Sequence, residues 1–193
     1  MVPLRYLLVA LAVVAATGLV AAWLQGVFAR SGPLMGWEDA LELRRALSAG
    51  RASLTFSVYA RELPLAVNVT LDGRPYRLPL RRVVVYFRAR DAPVFEEPLL
   101  QLWRAWGNGS HAGAASALDV SDDGSTIYIK YLALSPRIQG GGSSFCLGQG
   151  AEDPTYNLSS LSGGRVDVLG ASYEWSGRRV VKVVRVEVGP CGG

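Results

Sequence analysis

From Tyr6 to Ala29 the chain carries no charged residue, and its polar members are Thr17 and Gln25. Wound as a helix, these twenty-four residues reach about 36 Å, slightly more than a hydrocarbon core of roughly 30 Å. A cleaved secretory segment has a shorter apolar stretch, roughly 7–15 residues. Trp23 near the far end, with Arg5 and Arg30 at the borders, fits interfacial anchoring. The run therefore predicts a retained hydrophobic helix over residues 1–30, serving as a membrane anchor or a filament core. The alternative is a signal peptide cut after Ala22 or Ala29, each with Val at the −3 position (Val20 and Val27). Positive charge does not orient the run, because Arg5 stands on one side and Arg30, Arg44 and Arg45 on the other.

The asparagines supply the orientation. The chain has three, and each opens an N-x-S/T triplet: Asn68-Val69-Thr70, Asn108-Gly109-Ser110 and Asn157-Leu158-Ser159. With Ser and Thr near a tenth of the chain, three out of three arises by chance about once in a thousand sequences. Asn68, Asn108 and Asn157 are therefore read as glycosylation sites, and residues 31–193 as extracellular. The two cysteines, Cys146 and Cys191, agree: an even pair in an exported domain is expected to form a disulfide.

Half of the residues are apolar and 19% are charged, which excludes a disordered chain. Basic residues outnumber acidic ones by 20 to 16, and only Lys130 and Lys182 are lysines. Arg74, Arg77, Arg81, Arg82, Arg88 and Arg90 are dense but spread over both faces of strands, so they are read as partners for acids, glycans or an envelope component and not for nucleic acid. The scarcity of Met, Cys, Gln and Asn points to a heat-adapted organism with a G+C-rich genome.

Ser31-Gly32-Pro33 breaks the first helix. Residues 31–50 are expected to form a linker with a short amphipathic helix from Trp37 to Ala49, acidic at its start and arginine-rich near its end. Trp37, Ala40, Leu41, the Arg44 stem and Leu47 form its apolar stripe. Residues 51–193 alternate apolar and polar with turn signals between, at Asp72-Gly73, Asp122-Asp123-Gly124 and Ser176-Gly177. Seven or eight strands are expected, including Arg81–Arg90, Thr126–Leu134, Val166–Leu169 and Val180–Val188. The class is mainly β, an immunoglobulin-like β-sandwich. A helical insertion is expected at Pro98–Trp106, where Leu99, Leu102, Trp103 and Trp106 have helical spacing, and a flexible loop at Gly140–Gly142.

No catalytic constellation emerges. His111 is the single histidine; beside Ser110 it is the one conceivable start of a hydrolytic triad, but the surrounding GNGSHAGA reads as loop. There is no nucleophile elbow, phosphate loop or dinucleotide fingerprint. Glu96/Glu97, Asp122/Asp123 and Glu152/Asp153 read as solvated turns. Asp119, Asp122 and Asp123 are weak candidates for Ca²⁺, which takes oxygen ligands, but their spacing matches no known calcium loop. No metal or cofactor is assigned, and the chain reads as non-enzymatic.

The Ala/Val/Leu-rich segment Leu7–Phe28, ending in GLVAAWLQG at Gly18–Gly26, resembles archaeal type IV pilins and archaellins. The resemblance implies a helix that waits in the membrane and then bundles with its copies in a filament core, leaving β-domains outside. Position 5 is Arg5, where bacterial relatives carry an acid. The chain is thus expected to be a surface filament subunit whose main partner is itself. One alternative is a single-pass anchored protein that binds the surface layer, as archaellum accessory subunits do. Another is a secreted protein, cut after its signal, that assembles by donor-strand exchange. Intact mass of the protein from cells should retain the Tyr6–Ala29 run; a chain beginning after Ala22 or Ala29 would exclude assembly through that helix.

Overall fold

The computed structural model describes residues 35–98, 100–138 and 141–191. The expected helix over residues 1–30 and the 31–34 break lie outside the described residues. Helix α1 (Trp37–Ser48) forms as its sequence dictates: Asp39 Oδ2 accepts from the Gly36 amide at 2.7 Å, and Arg45 stands in the last turn. Ala40, Leu43 and Leu47 are its buried residues, so the buried stripe runs through Leu43. The helix shares a core with the strands and belongs to the same compact unit, Met35–Gly193.

The domain is mainly β. Strand β1 (Arg51–Leu71) turns through Asp72 and Gly73, both at positive φ (51° and 79°), into β2 (Arg74–Arg88). That pairing of left-handed residues is what a two-residue hairpin turn requires. The remaining strands are β3 (Val94–Glu96), β4 (Trp103–Asn108), β5 (His111–Ser116), β6 (Leu118–Asp122), β7 (Thr126–Leu134), β8 (Gly141–Ser160), β9 (Gly163–Val168), β10 (Ala171–Ser176) and β11 (Arg179–Gly189).

Two separate sheets were expected, but the described strands form one. Its order is β3-β4-β5-β2-β1-β8-β11-β7-β6, with β9 on β1 and β10 on β9. The continuity comes from two long strands that change partners along their length. On the side of β1 away from β2, residues 51–59 meet β8 and residues 68–71 meet β9. Within its β8-paired stretch the register of β1 shifts between Ser53 and Val58, as at a β-bulge. β8 leaves β1 at Cys146 and continues along β11.

The sheet folds over itself around two cores. In one, Leu43 and Leu47 of α1 pack with Val83, Val85 and Phe87 of β2, Trp103 of β4 and Phe145 of β8. In the other, Leu65, Val67 and Val69 of β1 and Leu78 and Leu80 of β2 meet Ile127 and Ile129 of β7 and Val181 and Val183 of β11. Val83–Val85 is buried on both faces, which places β2 centrally, as its unbroken apolar run predicts.

Two expectations fail for physical reasons. Pro98–Trp106 is not helical: Trp103–Asn108 is strand β4, held between β3 and β5. Trp103 and Trp106, which helical spacing would put together, point to opposite faces of the sheet. Gly107 makes this possible, since a Cβ there would lie 2.4 Å from the Pro93 carbonyl oxygen. The Gly140–Gly142 loop gives way to strand from Gly141 onward; Gly140 lies outside the described residues. β8 was illegible because Gly, Ser, Asp and Pro have poor strand propensity, and Pro154 sits where its pairing with β11 shifts register.

Cys146 and Cys191 form the expected disulfide, 45 residues apart. It ties the residues after β11 to β8, where Gly189 already faces Cys146. Replacing both cysteines by Ala should lower unfolding free energy by about 4 kcal/mol on the chain-entropy account, read from guanidinium denaturation midpoints. An unchanged midpoint would mean that strand pairing alone holds the C-terminal segment.

Candidate functional surface

Asn68 is exposed on β1, cross-strand from Arg77 of β2 and Asp167 of β9. Asn108 is exposed at the β4–β5 turn. Its Oδ1 accepts from the Ser110 amide at 3.2 Å, the Ser110 hydroxyl at 3.3 Å and the His111 amide at 2.9 Å. Asn157 lies in β8 opposite Lys182 of β11, and its side chain is outside the described residues.

The three aspartates considered for Ca²⁺ do not converge. Asp119 pairs with Lys130 at 3.3 Å, and Asp122 with Arg179 at 3.2 Å. Asp123 accepts from the amides of Ser125 and Thr126 and from the Tyr128 hydroxyl. Each carboxylate is occupied by its own partners, and among the described residues no three metal-ligating side chains gather. His111 and Ser110 do meet, Nδ1 to Oγ at 2.9 Å, in the Asn108 turn.

Glu96 and Glu97 are not a solvated turn. They face opposite sides of the sheet, as neighbours on a strand must. Glu96 Oε1 accepts from Arg82 Nη1 at 2.6 Å and from Arg104 Nη2. Arg104 is 1% exposed, a charge that the interior tolerates only when paired. Glu97 accepts the Ala105 amide at 2.8 Å and Arg44 of α1 at 3.3 Å. One of the dense arginines, Arg82, thus has a structural role.

Sequence reading missed an aromatic row on the outer part of the face that carries Arg61. Trp106, Gly113, Tyr86 and Tyr59 are direct cross-strand neighbours on β4, β5, β2 and β1. Gly113 lets the strands pack closely there, since a Cβ would lie 2.1 Å from the Val85 carbonyl oxygen, and the rings of Trp106 and Tyr86 meet edge to face at 6.3 Å. Tyr59 lies 5.8 Å beyond Tyr86, and His111 meets Tyr86 edge-on at 5.5 Å. The Arg61 guanidinium sits 5.1 Å over the Tyr86 ring. Tyr59 is 58% exposed. These residues are far apart in the chain, and only period-2 alternation on correctly paired strands would have found them.

No family model, curated protein or solved structure matches this chain. Among the described residues, no helix is long and apolar enough to cross a membrane; the Tyr6–Ala29 run is outside them.

Two turn aspartates carry perturbed acidity. The Ser162 amide, then the Leu161 amide and the Ser162 hydroxyl, hold the Asp72 carboxyl at about 2 against an ordinary 3.8. The Ser125 amide, then the Thr126 amide and the Ser125 hydroxyl, do the same for Asp123, also to about 2. A carboxyl depressed on folding contributes stability that is complete above its unfolded pKa and lost as pH falls through its folded one. Denaturation midpoints should therefore fall between about pH 4 and pH 2. In the Asp72→Asn, Asp123→Asn double variant that fall should shrink, and a slope identical to wild type would assign the acid sensitivity elsewhere.

Proposed function

We propose that this chain is a non-enzymatic, exported surface protein, held by its apolar N-terminal run and assembled through that run into an extracellular filament. The observation that carries the export reading is the Cys146–Cys191 disulfide, a bond that persists in oxidising compartments. The exposure of Asn68 and Asn108 supports it, because a glycan needs a solvent-facing amide.

The filament reading draws its support from the Leu7–Phe28 resemblance and from energetics. Bundling the twenty-four residues of Tyr6–Ala29 with sibling runs removes a large apolar area from water, at roughly 25 cal/mol per Å² before entropy losses. A head-to-tail contact of this kind does not close on itself and grows a fibre. The aromatic row favours a second reading, in which a protein anchored by the same run presents its sheet face to an envelope component.

Electron microscopy of the cell surface and of detergent-free material should show helical filaments with the β-domains outside. Dispersed single copies that retain the Tyr6–Ala29 run would overturn the filament and favour the anchored protein. A reduced, unglycosylated protein recovered from the cell interior would overturn both.

A further inference from the structure

We propose that the aromatic row is a carbohydrate-binding surface for the chain's own sugar, the glycan carried at Asn108. The inference rests on the reading of Asn108 as a glycosylation site of an exported protein. It adds a function for side chains which that reading leaves unused.

The geometry begins at the amide. Three hydrogen bonds hold Asn108 Oδ1 toward its own turn, while Nδ2, the atom that bears a sugar, donates to no described residue. The contacts continue without a gap. Ser110 Oγ meets His111, His111 meets Tyr86, and Tyr86 meets both Trp106 and Tyr59. Trp106 stands two residues before Asn108 on β4 and so projects from the same face. From β4 to β1 the row crosses three strand spacings, about 14 Å, room for a short run of pyranose rings.

The chemistry selects sugar. A pyranose has a C–H face that stacks on aromatic rings and a rim of hydroxyls that seeks hydrogen bonds. The row supplies flat rings at Tyr59 and Trp106, with a guanidinium at Arg61 and an imidazole at His111 beside them. Aliphatic pockets, which a peptide or acyl chain would need, are not part of it. Asn108 also faces Val94 across the β3–β4 pair. Val94 is 86% exposed on the edge strand, so open space adjoins the root of the glycan.

The test uses the full-length glycoprotein produced with its glycans. Peptide mass spectrometry first establishes occupancy at Asn108 and Asn68. Glycosidase trimming of the folded protein should then be about tenfold slower at Asn108 than at Asn68, the size of one aromatic contact. Nuclear Overhauser contacts should link sugar protons to the Tyr59 and Trp106 rings. Tyr59→Ala, at a position 58% exposed, should speed trimming at Asn108 and leave Asn68 unchanged. An occupied Asn108 trimmed at the Asn68 rate, with no ring contacts, overturns the inference and leaves glycosylation standing. An Asn108 that carries no sugar overturns the reading beneath it, and the inference with it. An Asn108 glycan that stays free while the row of Asn108→Gln binds added oligosaccharide also overturns it, in favour of a foreign sugar.

Discussion

The domain depends on one strand long enough to serve three neighbours. β1 runs for 21 residues. It gives one edge to β2 and divides the other between β8 and β9. With β8 as its only neighbour on that edge, its second half would be left unpaired there, with backbone amides and carbonyls that the interior cannot tolerate. By changing partner from β8 to β9, β1 keeps its ladder satisfied, and along it the core contacts pass from Ala52, Val58 and Ala60 in one cluster to Leu65, Val67 and Val69 in the other. The continuity of the sheet follows from that change of partner.

The polar interactions in the interior lock this arrangement. Arg104 could not be buried without Glu96, and Glu96 is brought to it by the short edge strand β3. Its neighbour Glu97 reaches the other way to Arg44 and so ties α1 to the same edge. Ser116 Oγ accepts the Val83 amide at 2.8 Å in the centre of the sheet. At the opposite end, Asp72 in the β1–β2 turn accepts the Leu161 and Ser162 amides after β8. These contacts join segments distant in sequence and set the register of the strands that carry the aromatic row.

The surface carries many opposite-charge pairs. Its ion pairs at Arg165–Asp167, Lys182–Glu152 and Arg185–Glu187 are exposed and add little to stability individually. The aromatic row is different: Tyr86 and Trp106 are half-buried, while Tyr59 stands exposed at its end.

Local signals were legible in the sequence. The cap and charge pattern located α1, Asp-Gly located the first hairpin, and the Asp122-Asp123-Gly124 turn located the start of Thr126–Leu134, which is β7. The cysteine count located the disulfide. These features depend on residues near one another, or on there being only two of a kind. Tertiary structure decided the rest. HAGAAS at His111–Ser116 has no strand propensity to read, yet it is a strand because β2 and β4 hold it on both sides. Glu96 and Glu97 looked like a solvated pair until the pleat turned them to opposite faces. Tyr59, Tyr86 and Trp106 became a single surface only when three strand registers brought them into line. Register is a property of pairs of strands, and no single stretch of sequence contains it.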